Sequence, residues 1–433
     1  MMSRIGNYWL MRTISTAIAG AVLCSLLLLG SPARAEKQVK ITGGGWGHGI
    51  GMSQYGAYGR ALGGQSATEI LEAYYTGTNV RAAAVPGRIR VGLLQGRGSI
   101  ETSSSAFSAG GGKVVFKAPG KGRVAEGGPG TKWRVEPTDS GSMQLYKNGN
   151  KVTKGGDSAF GKPGTPLVMV YEQHDSLVSV EGKAHDYAYG RLLFDSHASC
   201  GAGYCLRLVL SLPTQKYLYG LGEVPASWPG AALRAQTIAA RTYVFSKIKR
   251  LGQHLSPCDC AVYDSTADQA YIGDSKRTGS GEYWDEWKAA VDDTDDQVVV
   301  YNGAPIQAYY FSSSGGHTEN NENVWGGTSL PYLRGVPDPA DDVPANPNHS
   351  WTVKMSWSAF SSKLNGRFGT GDLVKFRLVR PFGVSGRVTV VKSVDQGGVR
   401  IVGENKTARV DGADIRSALG LKDTLFRVRV IAK

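Results

Sequence analysis

Residues Tyr217 to Gly252 read YLYGLGEVPASWPGAALRAQTIAARTYVFSKIKRLG, and the rest of the chain is most easily placed around them. Ser227 is a natural helix N-cap, and Pro229 falls where a first-turn proline is tolerated. Gly252, after Lys247, Lys249 and Arg250, marks a helix end. Leu233, Thr237, Ala240, Val244, Ile248 and Leu251 share one stripe at helical spacing, and the small Ala235, Ala239 and Ala240 let another backbone approach. This predicts a core helix. Glu223 precedes it, between Gly222 and the Val224-Pro225 pair, in a loop stiffened by proline. An acid there is either an ordinary favourable charge near a helix N-terminus or a catalytic carboxylic acid.

The chain has 433 residues, with 49 Lys and Arg against 36 Asp and Glu, a net charge of +13. Arg4 and Arg12, an uncharged run from Thr13 to Pro32, and Ala33-Arg34-Ala35 read as a signal peptide over residues 1–35, an uncleaved anchor being the alternative. The product expected is secreted or cell-wall associated, and it stays basic after processing. Anionic wall polymers, lipid headgroups and acidic sugars are its natural partners. Nucleic acid is not, because the basic residues form no run and no nucleic-acid-binding motif. Beyond Cys24, Cys200, Cys205, Cys258 and Cys260 form two close pairs, which in an exported chain argue for disulfides; His197 and His254 give the same cysteines zinc-like spacing, and disulfides are the preferred reading. No metal or other cofactor is called for.

Many β-branched runs, 59 glycines and one long helix indicate an α+β fold, β-rich and built around that helix. Three parts follow the leader: a glycine-rich segment 36–80 packing into the remainder, a β-rich section 81–212 with the helix region 213–345, and a C-terminal β section 346–433. Gly43 to Gly64 (GGGWGHGIGMSQYGAYGRALGG) holds so many glycines that it reads as non-helical loop presenting Trp46, His48, Ser53, Gln54 and Tyr55. It has neither dinucleotide nor phosphate-loop spacing. Ser66 and Glu69 make a capping box for a short helix over 65–75. Strand-like runs fill 88–210, with a hairpin tip at Lys147–Asn150. Ile306 to Phe311 reads as a strand returning from the Asn302-Gly303 turn. It leads into SSSGGHTENNENVWGG (312–327), a polar constellation that core packing does not require. The Pro- and Asp-rich 336–348 reads as a loop or boundary, and strands are expected at LVKFRLV, GRVTVVKSV, GVRIVG and TLFRVRVIA, with a short helix over 411–419.

Four of these segments carry a resemblance. Gly45 to Ala57, Tyr219 to Tyr243, Asp268 to Gly273 and Ser312 to Gly327 are similar to the SpoIID/LytB family of bacterial cell-wall proteins, the stage II sporulation D proteins and amidase enhancers. In that family the GWGHG motif comes last, after a segment like Leu419 to Phe426, whereas here it comes first. The order looks permuted, which places the strand ending near Thr42 beside the C-terminal strand 425–431 and implies a single catalytic cleft, the glycine loop forming one wall with His48 and Gln54 facing Glu223 and Ser312 to Glu319 forming another.

The resemblance implies a lytic transglycosylase that cuts peptidoglycan glycan strands with Glu223 as its acid. Such an enzyme needs one carboxyl group, because the sugar's own 6-hydroxyl replaces water and leaves a 1,6-anhydro end. Trp46, Tyr55 and Trp325 are then candidates for stacking on sugar rings. Arg241 is a candidate for holding a lactyl carboxylate or orienting Glu223. His48, Gln54, Asp268, Gln269, Ser314 and His317 are candidates for hydrogen bonds to the glycan. The rival reading is a noncatalytic wall binder that enhances a partner amidase.

Overall fold

The computed structural model describes residues 37–172, 175–201 and 203–431. The expected leader, with Cys24, lies outside the described residues. The fold is mixed α/β with strands predominating. Two antiparallel layers form between residues 88 and 213. One is seven-stranded, running from Val262–Tyr263 through Arg88–Arg97, Gly203–Pro213 and Arg191–Cys200 to Gly122–Gly127; the other is six-stranded. Val262–Tyr263 is the parallel exception, against Arg88–Arg97. Phe116, Phe194, Trp133, Val135 and Leu167 fill the space between the layers. The hairpin tip reads correctly, since Asn148 and Gly149 both have positive φ (48° and 82°), as its tight turn demands. Each close cysteine pair is bonded, Cys200 to Cys205 and Cys258 to Cys260.

The helix expected after Glu223 spans Gly230–Leu251. Its N-cap position is Pro229, without a side-chain cap, so Ser227 stands in the preceding turn. Leu233, Ala240 and Val244 enter the core of the β layers, while Ala235, Ile238 and Ala239 enter a second core with Ile50, Met52, Ile70 and Leu71. Burial on both sides explains the small residues: the N-terminal segment packs onto the helix where a larger side chain would hold it away. Leu251, the last residue of the stripe, is exposed.

The glycine-rich segment departs from the sequence reading. Residues Gln54–Leu62 form a helix capped by Ser53, whose hydroxyl accepts from the Gly56 N–H. Gly56 and Gly59 lie inside it because of contact. A Cβ on Gly56 would sit 2.0 Å from the Tyr74 hydroxyl, and one on Gly59 would sit 2.0 Å from the Ala340 carbonyl oxygen. Glycine count alone cannot separate this use from loop flexibility. The next helix, Ala67–Tyr74, has the complete Ser66/Glu69 capping box.

The C-terminal section has its own core, with Phe360, Leu364, Ile401, Ile415 and Phe426, and it includes Val39 and Ile41 from the other end of the chain. Gln38–Gly43 is the middle strand of a three-stranded sheet, antiparallel to both Trp351–Ser356 and Phe426–Ile431. The expected neighbourhood of first and last strands is therefore present, with Gln38 opposite Ile431 and Gly43 opposite Phe426. Two C-terminal expectations change. Trp357–Phe368 is a helix, capped by Ser356 and closed by left-handed Gly369. Residues 386–394 join no named strand, since Arg387 turns inward to a buried carboxylate and breaks the ladder there.

Helix propensity favours Gly59→Ala by about 1 kcal/mol, whereas overpacking against the Ala340 carbonyl costs about 1–3 kcal/mol. The packing term should win. Urea unfolding should show a lower midpoint for Gly59→Ala than for the wild type, and an increase would show that this close approach is not rigid.

Candidate active site

Glu223 lies at the floor of a cleft of about 810 Å³ whose lining includes Trp46, His48, Gln54, Asp268 and Trp325. The turn from Gly222 brings Glu223 there, the Gly222 N–H bonding the Ala270 carbonyl. In return Glu223 Oε1 accepts from the Ala270 N–H at 2.6 Å and from the Tyr310 hydroxyl at 3.1 Å. Burial pushes the Glu223 pKa up, against the pull of these hydrogen bonds, the Gln54 amide and the Lys276 charge. Lys276 does not pair with the carboxylate directly; its ammonium donates to the Val224 carbonyl at 2.6 Å.

Behind Glu223 runs a chain of neutral groups. Tyr217 donates to Gln269 Oε1 at 2.6 Å, Gln269 Nε2 donates to the Tyr310 hydroxyl at 2.8 Å, and Tyr310 reaches Glu223. Burial drives both phenol pKa values far up, so the phenols stay protonated and act as donors. Gln269 is fully buried in this layer and does not face the cleft. Tyr310 was missed in the sequence. It sits in the short strand Tyr310–Phe311, which pairs in parallel with Met52–Ser53, while the hairpin expected around Asn302-Gly303 forms through Ala304–Pro305 against Val300 and Tyr301, where the paired strand ends.

The cleft walls are aromatic. Tyr309 lies edge-on to Trp325 at 4.7 Å, and His48 lies 5.1 Å from Trp325 and 5.3 Å from Phe311. Trp46 and Trp325 are each about half exposed, at 49% and 48%, which leaves part of each ring open to a ligand, although Lys422 lies over Trp46 at 5.7 Å. His48 is not. Its Nδ1 accepts from the Ile50 N–H at 3.0 Å, and the ring also bonds the Tyr310 backbone. Burial, with the charges of Arg416 and Arg387, pushes its pKa down to about 3, so it is a neutral strut. Gln54 Nε2 lies 3.4 Å from the Glu223 carbonyl oxygen and 3.3 Å from Gln236 Oε1. Asp268 is tied to Lys247, to the Tyr243 hydroxyl (2.7 Å) and to the Tyr263 N–H (2.9 Å). Arg416, from the helix Gly412–Leu419, also lines the cleft, although nothing in its local sequence marked it.

Five sequence candidates lie outside this lining: Tyr55, Arg241, Gln269, Ser314 and His317. Tyr55 packs on Trp228 at 5.2 Å. Arg241 is fully buried and faces the turn after the following helix, donating to the carbonyls of Gln297 (3.1 Å) and Val291 (3.3 Å) and to Gln215. It holds the fold there and does not contact Glu223. Ser314 donates to buried Asp338 at 2.8 Å, and His317 Nδ1 bonds its neighbour's carbonyl, Thr318 O, at 2.6 Å. Of the expected second wall, 312–319, Ser312 reaches the lining.

The hydroxyls of that segment serve another purpose. Asp341, fully buried, accepts from the Ser53 and Ser313 hydroxyls at 2.9 Å, the N–H groups of Ser314 and Gly315 at 2.9 and 3.0 Å, and His349 at 2.9 Å. Residues 336–348, read as a boundary, are thus a clamp. Arg387 and Asp423 form a second buried anchor: their ion pair at 2.8 Å leaves the guanidinium free to donate to the carbonyls of Ser314 (2.9 Å) and His317 (2.7 Å). Gly45 and Gly49 lie against that guanidinium, at φ of +78° and +83°; a Cβ on Gly49 would come within 2.5 Å of it. The glycines of the GWGHG stretch let backbone wrap a buried charge.

A mixed α/β protein with an aromatic cleft around one glutamate of raised pKa is the class the fold and site define. Residues 205–301 match the family described as SpoIID, stage II sporulation protein. The chain is 38% identical to an amidase enhancer of Bacillus subtilis over 141 residues, 33% of this chain and 17% of that protein. It is 29% identical to stage II sporulation protein D of Bacillus subtilis over 225 residues, 50% of this chain and 61% of that protein. An uncharacterised protein of Brachyspira hyodysenteriae is 34% identical over 178 residues, 41% of this chain and 44% of its own length. The matches thus span between 17% and 61% of those relatives. Over residues 205–301 the chain thus carries a match to the SpoIID family, and its similarity reaches both stage II sporulation D proteins and an amidase enhancer.

A carboxyl whose folded pKa is raised binds its proton more tightly folded than unfolded. Its contribution to stability therefore falls as pH rises from the unfolded value, 4.5, through the folded one. Glu223→Gln cannot ionise. Denaturant unfolding should find the variant equal to or slightly below the wild type at acid pH and more stable at neutral pH. A gap of the opposite sign would show that Glu223 is held as a carboxylate.

Proposed function

We propose that the protein acts at the bacterial cell wall and cleaves peptidoglycan glycan strands as a lytic transglycosylase with Glu223 as its acid and base. One observation carries the reading: of the two carboxyl groups lining the cleft, Glu223 is half-buried with a raised pKa, while Asp268 is committed to Lys247, Tyr243 and Tyr263. Hydrolytic glycosidases generally use a pair of carboxyl groups. A single available acid suits a reaction that needs no second one. Because Oε1 accepts from Ala270 and Tyr310, the proton of the neutral acid belongs on Oε2, the oxygen able to donate.

In the reaction, Glu223 gives that proton to the glycosidic oxygen as the bond from C1 to that oxygen breaks. The carboxylate so formed takes the proton of the sugar's 6-hydroxyl while its oxygen bonds to C1, which closes the 1,6-anhydro ring and restores the acid. Ala270 and Tyr310 stabilise the carboxylate between the two transfers. The exposed faces of Trp46 and Trp325 bind sugar rings, whose C–H faces suit an aromatic surface. The similarity to an amidase enhancer supports a second reading, in which the protein binds wall and stimulates a partner amidase.

Purified glycan strands, with and without stem peptides, distinguish these readings. Wild-type protein should release 1,6-anhydro-muramyl ends, and Glu223→Gln should lower the rate by about 10²-fold or more, the usual worth of a positioned acid or base. The wild-type rate should fall as pH rises through the raised pKa, because the acid form starts the reaction. Tight wall binding without soluble product, or turnover by Glu223→Gln, would refute the enzymatic reading.

A further inference from the structure

Two sheets of the C-terminal section carry cations in register. Lys40 stands directly opposite Lys354 on one side and Arg429 on the other. In the second sheet, Arg400 stands directly opposite Arg377 and Arg409. Strand alternation turns all of these away from the core, which takes Val39, Ile41, Phe376, Ile401 and Ala408 from the same strands. Like charges directly opposite on neighbouring strands destabilise a sheet, and ordinary solvated surfaces intersperse acids to avoid this. Here none of the six strands contains an Asp or Glu (QVKITG, WTVKMS, FRVRVI, LVKFRL, VRIVG, TARV). Arg409 spends its Nη2 on the carbonyls of Ser393 and Gly397 and has its Nε and Nη1 buried, so Arg377 and Arg400 are the exposed cations of that row. Cations set side by side on two sheets, with no acid on their own strands, are what a bound polyanion would balance.

We propose that these rows bind a linear phosphodiester polymer of the cell wall, at a surface separate from the Glu223 cleft. Neighbouring strands lie about 4.8 Å apart, so three cations in a row span about 10 Å across the strands and meet successive charges of a flexible chain crossing them. Arginine, at Arg377, Arg400 and Arg429, favours phosphate because its planar fork donates two parallel hydrogen bonds. The choice of a wall polymer rests on the wall-directed reading above, whereas the anion site itself does not depend on cleavage.

The test uses the full chain with long-chain inorganic polyphosphate as probe, and poly-glutamate and a short DNA duplex as comparisons. Wild-type protein should bind polyphosphate more tightly than either comparison, with affinity falling steeply as salt rises. The triple substitution Lys40→Gln, Lys354→Gln and Arg429→Gln should weaken polyphosphate binding at least tenfold and flatten the salt dependence. Arg377→Gln with Arg400→Gln should weaken it through the other sheet. A second measurement separates this from damage to the fold: with no polyanion present, Lys40→Gln alone should raise the melting temperature at low salt, and the gain should vanish at high salt. Unchanged polyphosphate binding in the triple variant, or tighter binding of the duplex than of polyphosphate, would overturn the proposal. Cleavage of peptidoglycan stripped of phosphodiester polymers should be equal in the triple variant and the wild type. If the wild type fails to cleave it, the catalytic reading falls while the polyphosphate result still decides this one.

Discussion

A loop made largely of glycine has almost no side chains with which to hold itself, and buried charge does that work here. Asp341 gathers donors from three separate stretches, Ser53 beside the glycine loop, Ser313 to Gly315, and His349. The Arg387–Asp423 pair, buried on both sides, spends its remaining guanidinium donors on the carbonyls of Ser314 and His317. Removing one partner of such a pair leaves an uncompensated buried charge, typically at a cost of about 3–5 kcal/mol. The GWGHG backbone can be held to this framework because glycine lets it come close enough. Trp46 is then fixed at one rim by a reciprocal pair of main-chain hydrogen bonds with Ser313.

That arrangement explains what the sequence could and could not disclose. The long helix was legible because its stripe and terminal glycine are local signals, and the capping box of Ser66 and Glu69 was legible for the same reason. The helix Gln54–Leu62 was not, because Gly56 and Gly59 are there for contacts with Tyr74 and Ala340, residues that the local stretch does not contain. Trp357–Phe368 did carry usable signals, a Ser356 cap, Phe360 and Leu364 at helical spacing, and Gly369. At the site, Glu223 was marked by its stiff loop, and the aromatic candidates by composition. Tyr310 and Arg416 carry no local mark, since each reaches the cleft through a tertiary pairing. Arg241, Ser314 and His317 show the converse: a polar side chain in a distinctive motif is as readily a brace for the fold as a contact for a ligand.

The chemistry at Glu223 follows from keeping its surroundings polar without supplying a direct counter-charge. An arginine in contact would favour the carboxylate and drive the pKa down. Tyr310, Gln269 and Tyr217 instead form a neutral chain, and the nearby Lys276 spends its ammonium on the Val224 carbonyl. These donors favour the carboxylate, while burial pushes its pKa up. His48, neutral and bonded through both sides of its ring, adds no charge to this balance.

The seam between the ends of the chain links this chemistry to the whole fold. Gln38 and Ile431 face each other, so a turn between them would restore the order in which the glycine motif follows the last strand. In either order the strand Gln38–Gly43 is gripped on both sides, and the motif leaves the sheet at the same point, where the Gly44 N–H bonds the Leu425 carbonyl and Trp351 donates to Gly45. What the cleft requires is therefore the sheet and its register. Slipping the first strand by one residue would turn Val39 and Ile41 out of the core and carry the GWGHG backbone away from Arg387. The apolar alternation of six residues thus sets the position of a rim they do not touch, and a long-range strand pairing governs the shape of the cleft around Glu223.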